Sequence, residues 1–219
     1  MTISGTSSSA WSGTADRRRI GVLAAAVAAL TAAGAIASTP VFTSTWKAPD
    51  AAGVSFAGKS VAALVISPDD SLRISGEEQL VRELDARGIR GIATYRMMPR
   101  EEAATADRAR PWFQRAGIEG VVALRPVSIE KETYAGGWTT ESYSTFWGYY
   151  NYAPAAVYRF GGSRSDTHLV VETLVYSLPL DKLLWAGVSS TTNPKEAQAF
   201  VRDLVAAAVK EMKKQRLVP

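Results

Sequence analysis

SVAALVIS (Ser60–Ser67) is an apolar, partly β-branched run stopped by Pro68-Asp69-Asp70. It is too short for a buried helix and reads as a buried strand. Ser75-Gly76-Glu77-Glu78 then has the form of a capping box, and Leu80, Val81 and Leu84 follow as the apolar face of a helix ending at Gly88. Gly91–Met97 predicts a second strand, closed by Pro99. Glu101–Ala116 is helical in composition, with Pro111 expected to divide it and Gly117 to end it. Gly120–Glu132 (GVVALRPVSIEKE) predicts a longer third strand.

Further along, Thr167–Ser177 and Lys182–Thr192 predict an antiparallel hairpin about a turn containing Pro179. Asn193-Pro194-Lys195-Glu196 is a second capping box, with proline where its missing N–H is harmless. The helix it opens places Ala197, Phe200, Val201, Leu204, Val205, Ala208, Val209 and Met212 on one face. Its basic end (Lys210, Lys213, Lys214, Arg216) suits the negative end of the helix dipole. The order β-α-β-α-β-loop-β-β-α predicts an α/β (α+β-like) fold, a single mixed sheet with helices packed on it. The expected organisation is an export signal over residues 1–37, a polar lead-in over 38–58 and one domain over 59–219.

The amino-terminal segment fits that division. Arg17, Arg18 and Arg19 precede the uncharged run Ile20–Leu30, and Ala35-Ile36-Ala37 supplies the small–x–small pattern for cleavage before Ser38. The alternative is an uncleaved anchor in the inner membrane, since no charge interrupts Ile20 to Trp46 and residues 20–42 are long enough to associate with a bilayer. The signal also absorbs half of the net charge of +4. What remains is interspersed, so the concentrated basic stripe of a nucleic-acid footprint is missing. The chain has no cysteine, which excludes disulfides, thiolate nucleophiles, zinc–sulfur sites and a lipid thioether.

Three patterns invite a chemical reading. Gly53–Ser60 fits GxxxxGK[ST], but the predicted strand follows the loop, whereas phosphate binding requires a helix there. His168 is the only histidine, so neither a two-histidine metal site nor a histidine relay can form. An envelope hydrolase using His168 with Ser163 or Ser165 and Asp166 is the enzymatic alternative, without a GxSxG elbow to support it. Asp69-Asp70 falls in a turn, while dipole and capping roles account for Glu77-Glu78 and Glu101-Glu102. No catalytic, metal-binding or cofactor-binding residues are assigned, and no cofactor is expected.

The region 133–165 is the compositional outlier, with ten aromatic residues from Tyr134 to Phe160 among glycines and polar residues. Read as a loop, it offers Trp138, Tyr143, Phe146, Trp147, Tyr149, Tyr150 and Tyr152 as a candidate partner surface. The competing reading packs those rings on the sheet.

Taken together, Thr45-Trp46-Lys47-Ala48-Pro49, VAALVIS, LVRELDARG, Gly120-Val121-Val122, the Trp147–Tyr152 cluster and Leu183-Leu184-Trp185 resemble an uncharacterised family of bacterial envelope (lipo)proteins. Its domain is similar to the amino-terminal domain of the TolB translocation protein. The resemblance implies an envelope protein without catalytic residues to carry over. Relatives carry a lipobox cysteine where Ala33-Gly34 is here followed by Ala35 and Ile36, so acylation is excluded for this chain. The expectation is a periplasmic or otherwise exported, non-enzymatic binding or assembly module, its partner an envelope protein or cell-wall component. A purely structural accessory subunit is the remaining alternative.

Overall fold

Alternation along the second strand of the sheet divides the molecule into two cores. In a computed structural model that describes residues 40–127, 141–156, 168–192 and 197–218, Val61, Ala63 and Val65 point to one face, and Ala62 and Leu64 to the other. Neither face meets water. A continuous apolar run is what a strand covered on both sides requires.

The sheet has six strands, β1 (Val41–Lys47), β2 (Ser60–Val65), β3 (Arg90–Ala93), β4 (Gly120–Val127), β5 (His168–Ser177) and β6 (Lys182–Thr192), in the order β1-β6-β5-β4-β2-β3. β2 is parallel to β3 and β4, and the other pairings are antiparallel, so the sheet is mixed and the fold is α/β. Among the described residues, six α-helices accompany it: α1 (Asp70–Asp85), α2 (Thr94–Met97), α3 (Ala106–Arg115), α4 (Glu141–Ser144), α5 (Phe146–Tyr152) and α6 (Ala197–Lys214). α1 and α6 cover one face through Leu80, Leu84, Leu204, Val205, Val209 and Met212. α3 and α5 cover the other through Ala109, Phe113, Phe146 and Tyr149. Each large apolar side chain so buried contributes about 1.5–3 kcal/mol.

Several boundaries differ from the sequence expectation. The lead-in expected over 38–58 contains an edge strand, β1, whose Phe42 stacks edge-on against Trp185 at 5.6 Å and whose Lys47 donates to the Gln215 carbonyl at 2.6 Å. Its short polar alternation hides it, because only one side of an edge strand needs to be apolar. α1 begins well before Ser75. Asp69 is its cap, accepting from the Ser71 and Leu72 N–H groups at 2.8 and 3.2 Å, so the turn that stops β2 also starts the helix. β3 ends at Ala93, and Thr94–Met97 turns into α2, because the Glu77 carboxylate draws the Thr94 hydroxyl and Tyr95 N–H away from any ladder. Pro111 lies inside α3 without dividing it, on an exposed side of the helix near its start.

The described part of the aromatic region is helical. Phe146, Tyr149, Tyr150 and Ala153 recur at helical spacing on one buried face, and Thr145 caps the helix by accepting from the Gly148 N–H at 3.1 Å. The hairpin and the last helix follow the expected course. The export signal with Ala35, Ala37 and Ser38, the residues Tyr134, Trp138, Tyr158 and Phe160, and the capping box at 193–196 lie outside the described residues.

Candidate functional site

The burial of α5 redraws the candidate partner surface. Phe146, Tyr149 and Tyr150 are buried and therefore do not present a surface. Phe146 packs against Phe113 and Tyr176 at 5.4 and 5.6 Å, and Tyr149 against Tyr176 at 5.7 Å. The Tyr150 hydroxyl donates to the Ala103 carbonyl at 3.0 Å, and burial pushes its pKa well above that of free tyrosine. Ala106 N–H donates to Asn151 Oδ1 at 2.9 Å, tying α5 to the start of α3. Tyr143 and Trp147 are half-buried, and Tyr152 is exposed. Of the described members, only these three reach solvent.

Beneath α4 and α5 lies a polar cluster that the sequence reading missed. Arg125 and Glu172 are direct cross-strand partners on β4 and β5. Arg125 Nε donates to Glu172 Oε2 at 2.7 Å, and both side chains are fully buried. The Tyr143 hydroxyl closes the triangle, accepting from Arg125 Nη2 and donating to Glu172 Oε1, each at 2.8 Å. Tyr176 in turn donates to the Tyr143 carbonyl at 3.0 Å. The guanidinium also lies over the rings of Tyr149 and Tyr152, 5.7 and 5.2 Å from their centroids. Burial opposes its charge, but Tyr149, Glu172 and Tyr143 outweigh that, so Arg125 holds its proton more tightly than free arginine. Burial, and then Glu172, raise Tyr143. Both carboxylate oxygens are engaged, which leaves no free base for acid–base work. The signal was a lone charge in each of two apolar strands, GVVALRPV and HLVVETLVYS, a pattern that buried pairs produce.

Two of the clefts formed by the described residues contain charged side chains. One, of about 260 Å³, sits at the carboxyl ends of β2 and β3, where the chain departs to opposite faces of the sheet. Glu77 lies at its floor, accepting from the Thr94 hydroxyl at 2.6 Å, the Tyr95 N–H at 2.8 Å and the Val65 N–H at 3.3 Å. Desolvation raises its pKa, against the opposing pull of these three donors and Arg73. Arg73 and Arg100 share Asp70 at the rim. The Glu77 carboxylate is thus occupied by the Thr94 hydroxyl and two backbone N–H groups of its own fold. The second cleft, of about 300 Å³, lies between α3, Trp147 and the β5–β6 turn, lined by Arg110, Phe113, Gln114, Ile118, Trp147, Leu178, Pro179 and Asp181. Arg110 stacks on the Trp147 ring at 4.5 Å.

The remaining patterns resolve without chemistry among the described residues. Lys59 of the GxxxxGK[ST] match leads into β2, not a helix, and pairs with Glu119 at 3.4 Å. The acidic pairs are dispersed: Glu78 pairs with Arg96 at 2.7 Å and Glu102 with Arg108 at 2.9 Å. His168 opens β5 opposite Thr192, while Ser163, Ser165 and Asp166 lie outside the described residues. No cluster of His, Asp and Glu suited to a metal ion occurs among the described residues.

No protein-family profile matches the chain, and no curated protein matches it. Among solved structures, it is similar to the PelC dodecamer from Paraburkholderia phytofirmans, with 10% identity, a TM-score of 0.44, and coverage of 78% of this chain and 94% of that one. A point variant of that dodecamer is similar at 11% identity and a TM-score of 0.43, over 78% of this chain and 95% of the other. Similarity at this level carries no argument about activity or assembly.

Proposed function

We propose that this protein is an exported, non-enzymatic envelope module that binds or assembles with another envelope component. The observation that supports it most is the open cleft beside Trp147. Half of the described aromatic cluster is buried by packing, while Trp147 stays partly exposed with a guanidinium stacked on it. Trp and Arg are the residue types that carry binding energy at interfaces. Both oxygens of Glu172 and the carboxylate of Glu77 are engaged by donors of the fold itself, so neither carboxylate is a poised base.

Delivery rests on the order of Arg17–Arg19, the apolar run and Ala35-Ile36-Ala37. Among the described residues, no helix is long and apolar enough to cross a membrane, so an anchored form would hold through residues 20–42. The sequence resemblance to envelope proteins with a TolB-like domain agrees with this reading. Sequencing the amino terminus of the protein recovered from cell envelopes tests delivery. An amino terminus at Ser38 supports a released module, and an intact Met1 in the membrane fraction supports the anchored one. In-cell crosslinking from Leu180, at the rim of the cleft, tests binding.

A further inference from the structure

We propose that the cleft between α3 and the β5–β6 turn docks an extended segment of a partner protein in which an acidic side chain stands next to an apolar one. The inference rests on the binding-module reading and names the partner's chemistry. Arg110 carries it. Its guanidinium face is taken by the Trp147 ring, and no ion pair to it forms among the described residues, so its edge N–H groups can meet a carboxylate in a fork. Gln114 stands one turn further along the same face of α3 and adds an amide donor. Phe113, Ile118, Leu178 and Pro179 supply an apolar floor for the neighbouring side chain.

Asp181 fixes the orientation. It occupies the opposite rim, and its Oδ1 accepts from the Phe146 N–H at 3.2 Å, at the positive start of α5. A second carboxylate is repelled from that rim and drawn to Arg110. The same pairing argues against a membrane surface, which needs several uncompensated basic residues and a protruding apolar face. Here a single arginine faces an aspartate across a concavity, and Leu180 is the one large apolar side chain of the turn that is strongly exposed.

The test uses the purified full-length chain and a capped hexapeptide of leucines around one glutamate, with its glutamine counterpart as control. The readout is the indole N–H resonance assigned to Trp147 by Trp147→Phe. The expected result is a saturable shift with the glutamate peptide and binding about tenfold weaker with the glutamine peptide. Arg110→Ala should erase the difference between the two, and because Arg110 is exposed the fold survives the change. Equal binding of both peptides, or no shift up to about 1 mM, overturns the proposal. So does binding to phosphatidylglycerol vesicles that depends on Arg110 while the peptide has no effect. If peptide binding fails while crosslinking from Leu180 in cells still captures a partner, this inference falls and the binding-module reading stands.

Discussion

Arg125 on β4 and Glu172 on β5 face each other in register and are sealed from water beneath Tyr143. The pair sits where the sheet supports the aromatic helix, so it links the antiparallel half of the sheet to the segment that positions Trp147. Retaining two charges in a core is expensive unless every donor and acceptor is met.

Breaking the pair should therefore cost more than a surface substitution. Glu172→Gln should lower unfolding free energy by about 3–5 kcal/mol, and Tyr143→Phe by about 1–3 kcal/mol. Urea denaturation of both single variants and the double variant measures this, and the double should cost less than the sum because the groups share a network.

Glu77 gives a pH signature. Its carboxyl titrates above the ordinary value of 4.5 in the folded protein because burial disfavours its charge. The folded state thus holds that proton to higher pH than the unfolded state, and the contribution is present at low pH and lost as pH rises above about 4.5. Glu77→Gln should flatten the fall in stability on the alkaline side of that point. It should also cost about 1–3 kcal/mol near neutrality, since its amide cannot accept from all three donors. Melting temperature against pH for both proteins checks the sign.

Glycines at helix–sheet contacts should not tolerate a methyl group. A Cβ at Gly91 would stand 2.9 Å from the backbone Cα of Val81, and one at Gly76 2.9 Å from the side chain of Val65. Gly91→Ala should cost about 1–3 kcal/mol because backbone cannot yield. Gly76→Ala should cost less, since side chains shift and alanine gains up to about 1 kcal/mol of helix propensity. Denaturant midpoints rank the two.

The mixed sheet was legible in the sequence wherever a strand is buried on both faces. SVAALV is apolar except for Ser60, and the runs of β5 and β6 carry β-branched residues on either side of the turn at Pro179. Elements with one exposed side were harder to read. In VFTSTWK the polar positions of β1 look like a lead-in, and only its pairing with β6 reveals the strand. FWGYYNY hides a helix because aromatic residues and glycine are poor helix formers, and tertiary packing on Phe113 and Tyr176 overrides that preference. The cleft was legible only as Trp147. Its other wall comes from Arg110 and the Pro179 turn, which are far apart in sequence and carry no motif.

Photo-crosslinking in intact cells from Leu180, with Ile74 on α1 as the control position, shows whether the cleft holds a partner. Both side chains are exposed, but only Leu180 lies beside the cleft. One discrete adduct is expected from Leu180, absent from Ile74 and lost in Arg110→Ala. A well-expressed, correctly delivered protein that gives no adduct, or the same adduct from both positions, would contradict binding at the cleft.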